Sequence, residues 1–381
     1  MVKEEKSQLD KNFTDALNLI KKKFGDEAML SFNDMSTQNV EMTSTGSLNV
    51  DLALGGGFAQ GRCVVLYGAP SSGKSTIALQ TIANAQKKGY LCAYLDSEHA
   101  IDLSYAAALG VDLEHLLFAQ PASGTECFEI AEELLKSTKV KMIVFDSATT
   151  MVPIEFLQKE LTDNFIGLQS RMFSKAFQRI TPLAAKNNCM LFVISQVRKD
   201  ISKLFGDNDT MSCKNTLEFY SSQIVKIWKK ETPNMEKVNG EDIATSVDVK
   251  AKVVKNKVAP PFRSCEFKIR FGEGVSRFYE LFDFAVKYNL IEKAGGWYKY
   301  KDADGNELKF QGEIKAIEWL KGRPDLQNEF LEKIRNIVLG VEEDTEVEEM
   351  VETPQEILPT AAEVINEETK AEKNVEEKAE D

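Results

Sequence analysis

The sequence predicts an α/β protein built around a mostly parallel β-sheet, and three observations support this fold class. Short apolar runs alternate with helical stretches between about residues 43 and 271. A glycine-rich loop with the spacing of a phosphate-binding loop follows the first of these runs. Hydrophobic residues form 43% of the chain, which is typical of a protein with a full core. Apolar strands separated by helices indicate a parallel sheet that is covered on both faces.

Residues 1–42 are predicted to form an N-terminal helix and a linker. An apolar stripe at helical spacing runs from about residue 7 to Phe24, and Gly25 ends it. A lone amphipathic helix has an apolar face that must be covered. The surface that it covers is either the core of its own chain or a neighbouring subunit.

Residues 43–275 are predicted to form the core. Its strand candidates are Cys63–Tyr67, Leu91–Asp96, Met142–Asp146 and Leu191–Ser195. Ligands of parallel sheets gather at the carboxyl ends of the strands. Polar residues at these ends are therefore candidates for chemistry: Asp96, Glu98, Asp146 and Gln196.

The phosphate loop is Gly68-Ala69-Pro70-Ser71-Ser72-Gly73-Lys74-Ser75, which fits G-x-x-x-x-G-K-[ST] at every fixed position. It lies between a predicted strand and a helix over about 76–86, a setting that an ordinary glycine-rich turn lacks. The two glycines let backbone N–H groups turn towards a polyphosphate, and the helix start adds the positive end of its dipole. Lys74 is predicted to contact the β- and γ-phosphates, and Ser75 to bind Mg²⁺.

Three polar residues at strand ends have predicted roles beside this loop. Asp146 ends an apolar run, as in the second motif of nucleotide-binding proteins, in which the carboxylate organises Mg²⁺. Glu98 is placed to deprotonate the water that attacks the γ-phosphate, and its alternative is a solvated loop carboxylate. Gln196 is placed to sense the γ-phosphate, and its alternative is an exposed amide at a strand end.

The segment 246–257 carries four lysines in a strand-like pattern. Alternation puts Lys250 and Lys252 on one face, and Lys255 and Lys257, beyond a double valine, on the opposite face. One pair then serves the phosphates of ATP and the other those of a nucleic acid. The alternative is a solvated basic strand.

Two long loops are predicted at about residues 158–166 and 197–215. The first leads to Arg171, and the second contains Arg198 and Ile201. Basic residues mixed with apolar ones suit a nucleic-acid single strand, because cations bind its phosphates and apolar side chains lie between its bases. Loops of this length are also uncommon as plain connections.

Residues 276–340 are predicted to form a smaller α+β module without a catalytic pattern. A helix is expected over 281–288, a hairpin around Trp297 and Tyr298, and further helices around Trp319 and over 330–338.

Residues 341–381 are predicted to be a disordered acidic tail. Residues 342–381 hold sixteen acidic residues and three lysines, whereas the rest of the chain balances 44 acidic against 44 basic side chains. The net charge of −13 therefore belongs to the tail. The tail either keeps the protein in solution or competes, as a mobile polyanion, with nucleic acid for basic surface.

The sequence also predicts a cytoplasmic protein without a membrane partner. The N-terminus lacks the apolar core of a signal peptide, and no apolar run reaches the ~20 residues of a membrane span. The six cysteines are widely spaced and form no C-x-x-C motif, which favours reduced thiols.

The chain resembles the bacterial RecA recombinase family over residues 8–339. Beyond the phosphate loop, the matching stretches are 44–48 (STGSL), 96–100 (DSEHA), 109–112 (LGVD), 146–147 (DS), 196–198 (QVR), 217–220 (LEFY), 253–259 (VVKNKVA) and 290–298 (LIEKAGGWY). The resemblance implies a RecA-type core, ATP and Mg²⁺ as cofactors, single- and double-stranded DNA as partners, and a head-to-tail helical filament. It implies DNA-stimulated ATP hydrolysis and strand exchange in recombination, repair and the SOS response. A self-cleaving repressor is a further partner that it suggests.

The resemblance also implies roles for matched residues. The catalytic residues would be Lys74, Glu98, Gln196, Lys255 and Lys257, the last two reaching the ATP of the adjacent subunit. The nucleotide-binding residues would be Gly68, Ala69, Pro70, Ser71, Ser72, Gly73, Lys74, Ser75, Thr76, Asp102, Tyr105, Asp146 and Phe271, with Ser75 and Asp146 on the metal and Tyr105 stacked on adenine. The DNA-binding residues would be Ile166, Arg171, Arg198, Ile201, Lys250 and Lys252, with the isoleucines wedged between base triplets.

Several positions depart from the family pattern: Ala69-Pro70 in the phosphate loop, Cys213-Lys214 in the second DNA loop, Glu218 beside the subunit contact, Phe271 near adenine, and an insertion around 232–240. They indicate a divergent member, from a phage or a small genome. The alternatives are a ring-shaped motor, a DNA-coating protein that does not hydrolyse ATP, and a small-molecule kinase. The matched C-terminal module argues against the first, and Glu98 against the second; no acceptor-binding pattern supports the third.

Overall fold

A computed structural model describes residues 15–16, 18–24, 40–158, 167–199, 209–238, 241–302 and 305–339. The chain separates into two compact units, 1–41 and 42–381. In the first unit the described backbone at 18–24 is helical, within the segment predicted as a helix. The acidic tail, Ile166 and Ile201 lie outside the described residues.

The second unit is organised around a central sheet to which eleven of the described strands belong. In chain order the strands are β1 (Met42–Thr43), β2 (Phe58–Ala59), β3 (Cys63–Gly68), β4 (Leu91–Asp96), β5 (Leu116–Ala119), β6 (Val140–Asp146), β7 (Met190–Lys199), β8 (Asp209–Met211), β9 (Ser221–Lys229), β10 (Asn234–Val238), β11 (Glu241–Asn256), β12 (Ser264–Arg270), β13 (Gly274–Val275), β14 (Glu292–Ala294), β15 (Trp297–Lys301) and β16 (Glu307–Gln311). The strand order is β13-β12-β11-β9-β3-β7-β6-β4-β5, with β10 paired to β11 and β8 to β7. The strands from β9 to β5 are parallel, and those from β11 to β13 are antiparallel.

Helices lie between most of the strands. They are α1 (Leu48–Leu54), α2 (Lys74–Lys87), α3 (Leu103–Ala108), α4 (Gly124–Lys136), α5 (Ile154–Gln158), α6 (Leu168–Lys186), α7 (Lys214–Tyr220), α8 (Arg277–Lys287), α9 (Glu313–Lys321) and α10 (Pro324–Leu339). The predicted helix over 76–86 is therefore two residues longer at its start and one longer at its end. All four predicted core strands are present.

Each face of the parallel sheet has its own buried cluster, because successive side chains of a strand point to opposite faces. On β3, Val64 and Leu66 pack in a cluster with residues of α2, whereas Val65 packs in a cluster with residues of α4 and α6. In the second cluster the rings of Phe128 and Phe173 meet edge to face with centroids 5.0 Å apart. This burial on both faces explains why the strands read as continuous apolar runs.

The second predicted DNA loop is shorter than the sequence indicated. β7 continues to Lys199 and pairs in antiparallel fashion with β8, so that Arg198 lies opposite Thr210. α7 then begins at Lys214. Arg198 is thus a strand residue. Its backbone is paired with β8 although its side chain is polar, and the apolar pattern of the sequence therefore assigned it to a loop.

A β-bulge overturns the prediction that the two lysine pairs of 246–257 occupy opposite faces. Val253 pairs with Val225, and Lys255 pairs with Ile224, so Val254 is an extra residue in β11. Val225 and Ile224 belong to clusters on opposite faces of the sheet. Lys255 therefore returns to the face of Lys252, since the bulge cancels one step of the alternation.

The C-terminal module contains α8, the antiparallel sheet β14-β15-β16, α9 and α10 around one cluster that includes Phe282, Ile317 and Phe330. The predicted hairpin is thus two strands of a three-stranded sheet. Glu280 on α8 joins the module to the core, because its carboxylate accepts hydrogen bonds from the Leu48 N–H and the Ser47 hydroxyl at the start of α1. These bonds are 2.5 and 2.7 Å long.

All six cysteines are free thiols, four of them buried. Across the stretches that the structure describes, no helix has the length and apolarity needed to cross a membrane.

Candidate functional site

The phosphate loop connects the end of β3 to the start of α2, and its glycines are required by close neighbours. A Cβ on Gly68 would lie 2.3 Å from the carbonyl oxygen of Ile227. A Cβ on Gly73 would lie 2.2 Å from Cδ1 of Ile269, and Gly73 also has a φ of +91°. The loop is therefore packed against β9 and β12, and only glycine fits at these two positions.

Lys74 is buried at the first position of α2. Its ammonium donates a hydrogen bond to the Ala69 carbonyl oxygen at 2.8 Å, so the side chain curls back over the loop. Burial lowers the pKa of Lys74, and the negative charges of Asp146 and Glu98 oppose that shift. A cation held in this position is placed to contact a polyphosphate bound by the loop.

Asp146, at the end of β6, lies directly beside the loop. Its Oδ2 accepts hydrogen bonds from the Ser75 hydroxyl at 2.9 Å and from the Tyr94 hydroxyl at 2.5 Å. Burial raises the pKa of Asp146 to about 6, and Glu98 and Asp96 add to the shift. A bound cation would offset this cost of ionisation, because an opposite charge favours the carboxylate.

Ser75 and Asp146 fit a Mg²⁺ site. Mg²⁺ prefers oxygen ligands and is commonly held by one or two carboxylates together with substrate phosphates. The Ser75 hydroxyl and the Asp146 carboxylate are such oxygens, already 2.9 Å apart and adjacent to the phosphate loop.

Glu98 is held beside Gln196. Oε1 of Glu98 accepts hydrogen bonds from Ser147 Oγ at 2.5 Å and from Gln196 Nε2 at 2.9 Å. The loop that carries Glu98 is fixed by Asp96, whose carboxylate accepts from the N–H groups of Glu98 and Ala100 at 3.2 and 3.0 Å. The carboxylate is thus oriented by two donors.

The residues predicted to contact adenine lie around α3 and beyond β12. Asp102 caps α3 by accepting from the Tyr105 N–H at 3.0 Å. The Tyr105 hydroxyl lies 3.1 Å from Oγ1 of Thr76 on α2, which places its ring near the phosphate loop. Phe271 follows β12 and is 53% exposed. Their adenine contacts stay predictions.

Comparison with known proteins identifies the family. The RecA N-terminal domain matches residues 11–276, and the RecA C-terminal domain matches residues 279–339. Protein RecA of Acinetobacter baylyi is 42% identical over 325 residues, which cover 85% of this chain and 90% of that protein. The chain belongs to the RecA family. It is accordingly a recombinase and a DNA-dependent ATPase, of a family whose members bind nucleotide and DNA and assemble into filaments.

Two further relatives agree with this RecA assignment. Protein RecA of Psychrobacter arcticus is 40% identical over 344 residues, covering 90% of this chain and 95% of that protein. Protein RecA of Psychrobacter cryohalolentis is 40% identical over 334 residues, covering 87% of this chain and 92% of that protein. A crystal structure of the RadB recombinase covers 61% of this chain and 98% of its own, at 25% identity and a TM-score of 0.47.

The described DNA-binding candidates of this RecA chain lie on three elements. Arg171 lies in the first turn of α6, Arg198 on β7, and Lys250 and Lys252 on β11. The structure does not gather them around one pocket. They stay predictions, as do Ile166 and Ile201 outside the described residues.

Lys255 and Lys257 lie at the end of the sheet opposite to the phosphate loop. The Lys257 N–H donates to the Ser222 carbonyl at 2.9 Å, and Ser221 pairs with Cys63, the first residue of β3. The loop follows the last residue of β3, about 17 Å away at ~3.3 Å per residue. Lys257 is therefore too far from the phosphate loop of its own chain to contact a nucleotide there. Lys255 lies opposite Ile224, which pairs with Val65, and its ammonium donates to the Glu218 carbonyl before the start of β9, which directs it away from the loop.

The sequence did not reveal the residues that link Gln196 to the region around β8. The Gln196 N–H donates to Thr149 Oγ1 at 3.1 Å, and Thr149 Oγ1 lies 3.2 Å from Ser212 Oγ. Tyr94 and Ser147 were also missed as partners of Asp146 and Glu98. The only sequence signal for these four residues is that each lies at or near the carboxyl end of a strand, or within a predicted DNA loop.

Proposed function

We propose that this RecA-family recombinase forms ATP- and Mg²⁺-dependent helical filaments on single-stranded DNA, in which two neighbouring protomers share each ATP. The observation that carries this proposal is the position of Lys255 and Lys257. Both lysines lie towards the start of β3, whereas the phosphate loop of the same chain follows the end of this strand. In a head-to-tail stack, a neighbouring protomer that contacts the start of β3 would bring its own bound ATP to these lysines. Cations contributed in trans would stabilise the charge that develops on the transferred phosphate.

Within a protomer, the strand-end cluster would hydrolyse the ATP. Lys74 and the loop N–H groups bind the phosphates, and Ser75 and Asp146 hold the Mg²⁺. Glu98 takes the proton from the attacking water, because its carboxylate is oriented by Ser147 and Gln196. Gln196 reports the loss of the γ-phosphate to the second DNA loop, which follows the strand that carries it.

The filament would hold one DNA strand and test a duplex against it by base pairing. Arg171 and Arg198 bind phosphates of the first strand, and Ile166 and Ile201 separate its bases. Lys250 and Lys252 bind the second strand. A head-to-tail contact that does not close gives a helix, and nucleotide and DNA affinities are coupled through that contact.

The remaining assignments complete this proposal. Residues 1–42 provide the filament contact, 43–275 the ATPase core, 276–340 a DNA-handling domain, and 341–381 the acidic tail. The reduced cysteines suit the cytoplasm. A self-cleaving repressor is a proposed partner of the assembled filament.

ATP hydrolysis measured with and without single-stranded DNA tests the function. Wild type should hydrolyse ATP faster when the DNA is present, and Lys74→Ala should show no DNA-stimulated turnover. Lys87→Ala is the matched control, since Lys87 is an exposed lysine at the far end of the same helix. DNA-stimulated turnover in Lys74→Ala would contradict the site. Electron microscopy that shows closed rings in place of filaments would contradict the assembly.

A further inference from the structure

Trp228 is a large aromatic side chain on the basic face of β9 and β11. It lies directly opposite Lys250 in the antiparallel register, and Lys226 lies directly opposite Lys252. Side chains of residues that face each other in this way share one face of the sheet. The four side chains therefore form a patch, the 226–252 patch, that consists of three lysines and one indole.

The core does not account for the indole. The adjacent residue Ile227 points to the other face, where it packs with Val249 in a buried cluster. Trp228 itself is 36% exposed. The Lys226 ammonium lies 5.8 Å from the centroid of its ring, which keeps a cation beside the aromatic surface.

Carboxylates offset part of the charge of the patch. Lys250 is paired with Glu266 at 2.8 Å, and Lys226 is paired with Asp209 at 2.9 Å. Glu266 is 52% exposed and also contacts Lys230 at 3.2 Å. The ion pairs at Glu266 are open to solvent, and such pairs contribute little, so an incoming phosphate can replace this carboxylate at small cost.

We propose that Trp228 stacks on an unpaired base of the second DNA strand while Lys250 and Lys252 bind its phosphates; Lys226, which is buried and paired with Asp209, holds a cation beside the ring. The inference rests on the proposed function, because that function supplies the second strand. Aromatic side chains interleaved with cations are the usual means of binding single strands without sequence preference, since every base has a π-face. In a duplex the bases are stacked on one another, so the patch favours a displaced or unpaired strand.

Second-strand binding by preformed filaments tests the proposal. The full-length protein is assembled on unlabelled oligothymidylate with a slowly hydrolysed ATP analogue, and a labelled oligothymidylate is then titrated in. Trp228→Ala should weaken this second binding by about tenfold, which corresponds to about 1.4 kcal/mol. Trp228→Phe should stay near wild type, because a phenyl ring also stacks.

An abasic oligonucleotide of the same length separates stacking from charge. It carries the same phosphates without bases, so Trp228→Ala should bind it as wild type does, whereas Lys252→Gln should bind both second strands more weakly. Equal loss of both strands in Trp228→Ala, or no loss of either, would overturn the assignment. Stimulation of ATP hydrolysis by the first strand should be unchanged in Trp228→Ala, so failure of this inference is distinct from failure of the proposed function.

Tryptophan emission gives a measurement that does not depend on an alanine variant. The second oligothymidylate should quench emission of wild-type filaments, and the abasic oligonucleotide should not. In Trp228→Phe the quenching should disappear, although Trp297 and Trp319 remain. Quenching that persists in Trp228→Phe would place the stacked tryptophan elsewhere and overturn the proposal.

Discussion

At the scale of single residues, Glu98 has different hydrogen-bond partners from the side chains beside the phosphate loop. Its carboxylate contacts Ser147 and Gln196, whereas Lys74, Ser75 and Asp146 surround the phosphate loop. A change at Glu98 should therefore affect the attack of water and leave nucleotide binding intact.

Glu98→Gln should bind ATP and DNA as wild type does but hydrolyse ATP about 100-fold to 10,000-fold more slowly, the range for loss of a general base. Its filaments should be correspondingly long-lived. Single-turnover hydrolysis and nucleotide binding measured side by side check this. Equal loss of binding and turnover would argue against a general base at this position.

Glu280 predicts a pH dependence of stability. Burial raises its pKa to about 7, although Ser47, Asn49 and the Leu48 N–H oppose the shift. An unfolded glutamate titrates near 4.3, so between these values the folded chain holds a proton that the unfolded chain lacks. Raising the pH through this window therefore lowers the free energy of unfolding, by up to about 3 kcal/mol.

Glu280→Gln removes this dependence, because glutamine resembles the protonated acid. Melting temperatures of both proteins should be similar at about pH 5, and wild type should fall below the variant by about pH 8. The buried Asp51 nearby, whose pKa is also raised, is present in both proteins, so the difference reports the Glu280 carboxyl together with its repulsion by Asp51. Parallel pH profiles would show that Glu280 is ionised throughout.

The sequence predicted which residues surround the phosphate loop better than it predicted the side chains that hold them. Lys74, Ser75 and Asp146 follow from motif spacing, because phosphate chemistry restricts their types and positions. Tyr94, Ser147 and Thr149 contact Asp146, Glu98 and Gln196 across different strands. Such contacts depend on strand order, which local patterns do not specify.

At the scale of elements, α2 connects the phosphate loop to the strand that precedes the C-terminal module. Gln80 on α2 makes two hydrogen bonds with the backbone of Val275, both 2.9 Å long. The Gln80 side-chain amide donates to the Val275 carbonyl, and the Val275 N–H donates to the Gln80 side-chain oxygen. Val275 ends β13, two residues before α8 begins. Nucleotide binding and the module therefore share a short connection.

Gln80→Ala should lower the free energy of unfolding by about 2 kcal/mol, since two hydrogen bonds are lost and Val275 is buried. Gln86 on the same helix is the matched control. It makes the same pair of bonds with Asp112, at 2.8 and 2.9 Å, but in an exposed position. Gln86→Ala should cost at most about 0.5 kcal/mol, because water replaces the lost bonds. Equal costs in denaturant unfolding would contradict a special role for Gln80.

The elements also show where alternation patterns are insufficient. Buried strands such as β3 and β4 were predicted almost to the residue, because both faces are apolar. The extension of β7 and the bulge at Val254 were not, because both depend on pairing with a partner strand. The bulge bears on the proposed role of Lys255, since it sets the face on which that residue lies.

At the scale of the whole molecule, charge is separated between a neutral body and an acidic tail. If the tail competes with DNA for basic surface, removal of residues 342–381 should speed loading onto duplex DNA, most clearly at low Mg²⁺ and low salt. Loading rates of the full-length and truncated proteins on the same duplex check this. An unchanged rate would leave the tail with a solubilising role only.

The central claim is that each ATP is completed by lysines of a second protomer, and mixing two inactive variants tests it most directly. Lys74→Ala lacks the phosphate-loop cation but keeps Lys255 and Lys257, whereas Lys255→Ala/Lys257→Ala keeps the loop but lacks the lysines. Each protein alone should be inactive. In an equal mixture on single-stranded DNA, one kind of junction in four has both parts, so turnover should recover to about a quarter of wild type. A mixture that stays as inactive as its components would contradict a shared site.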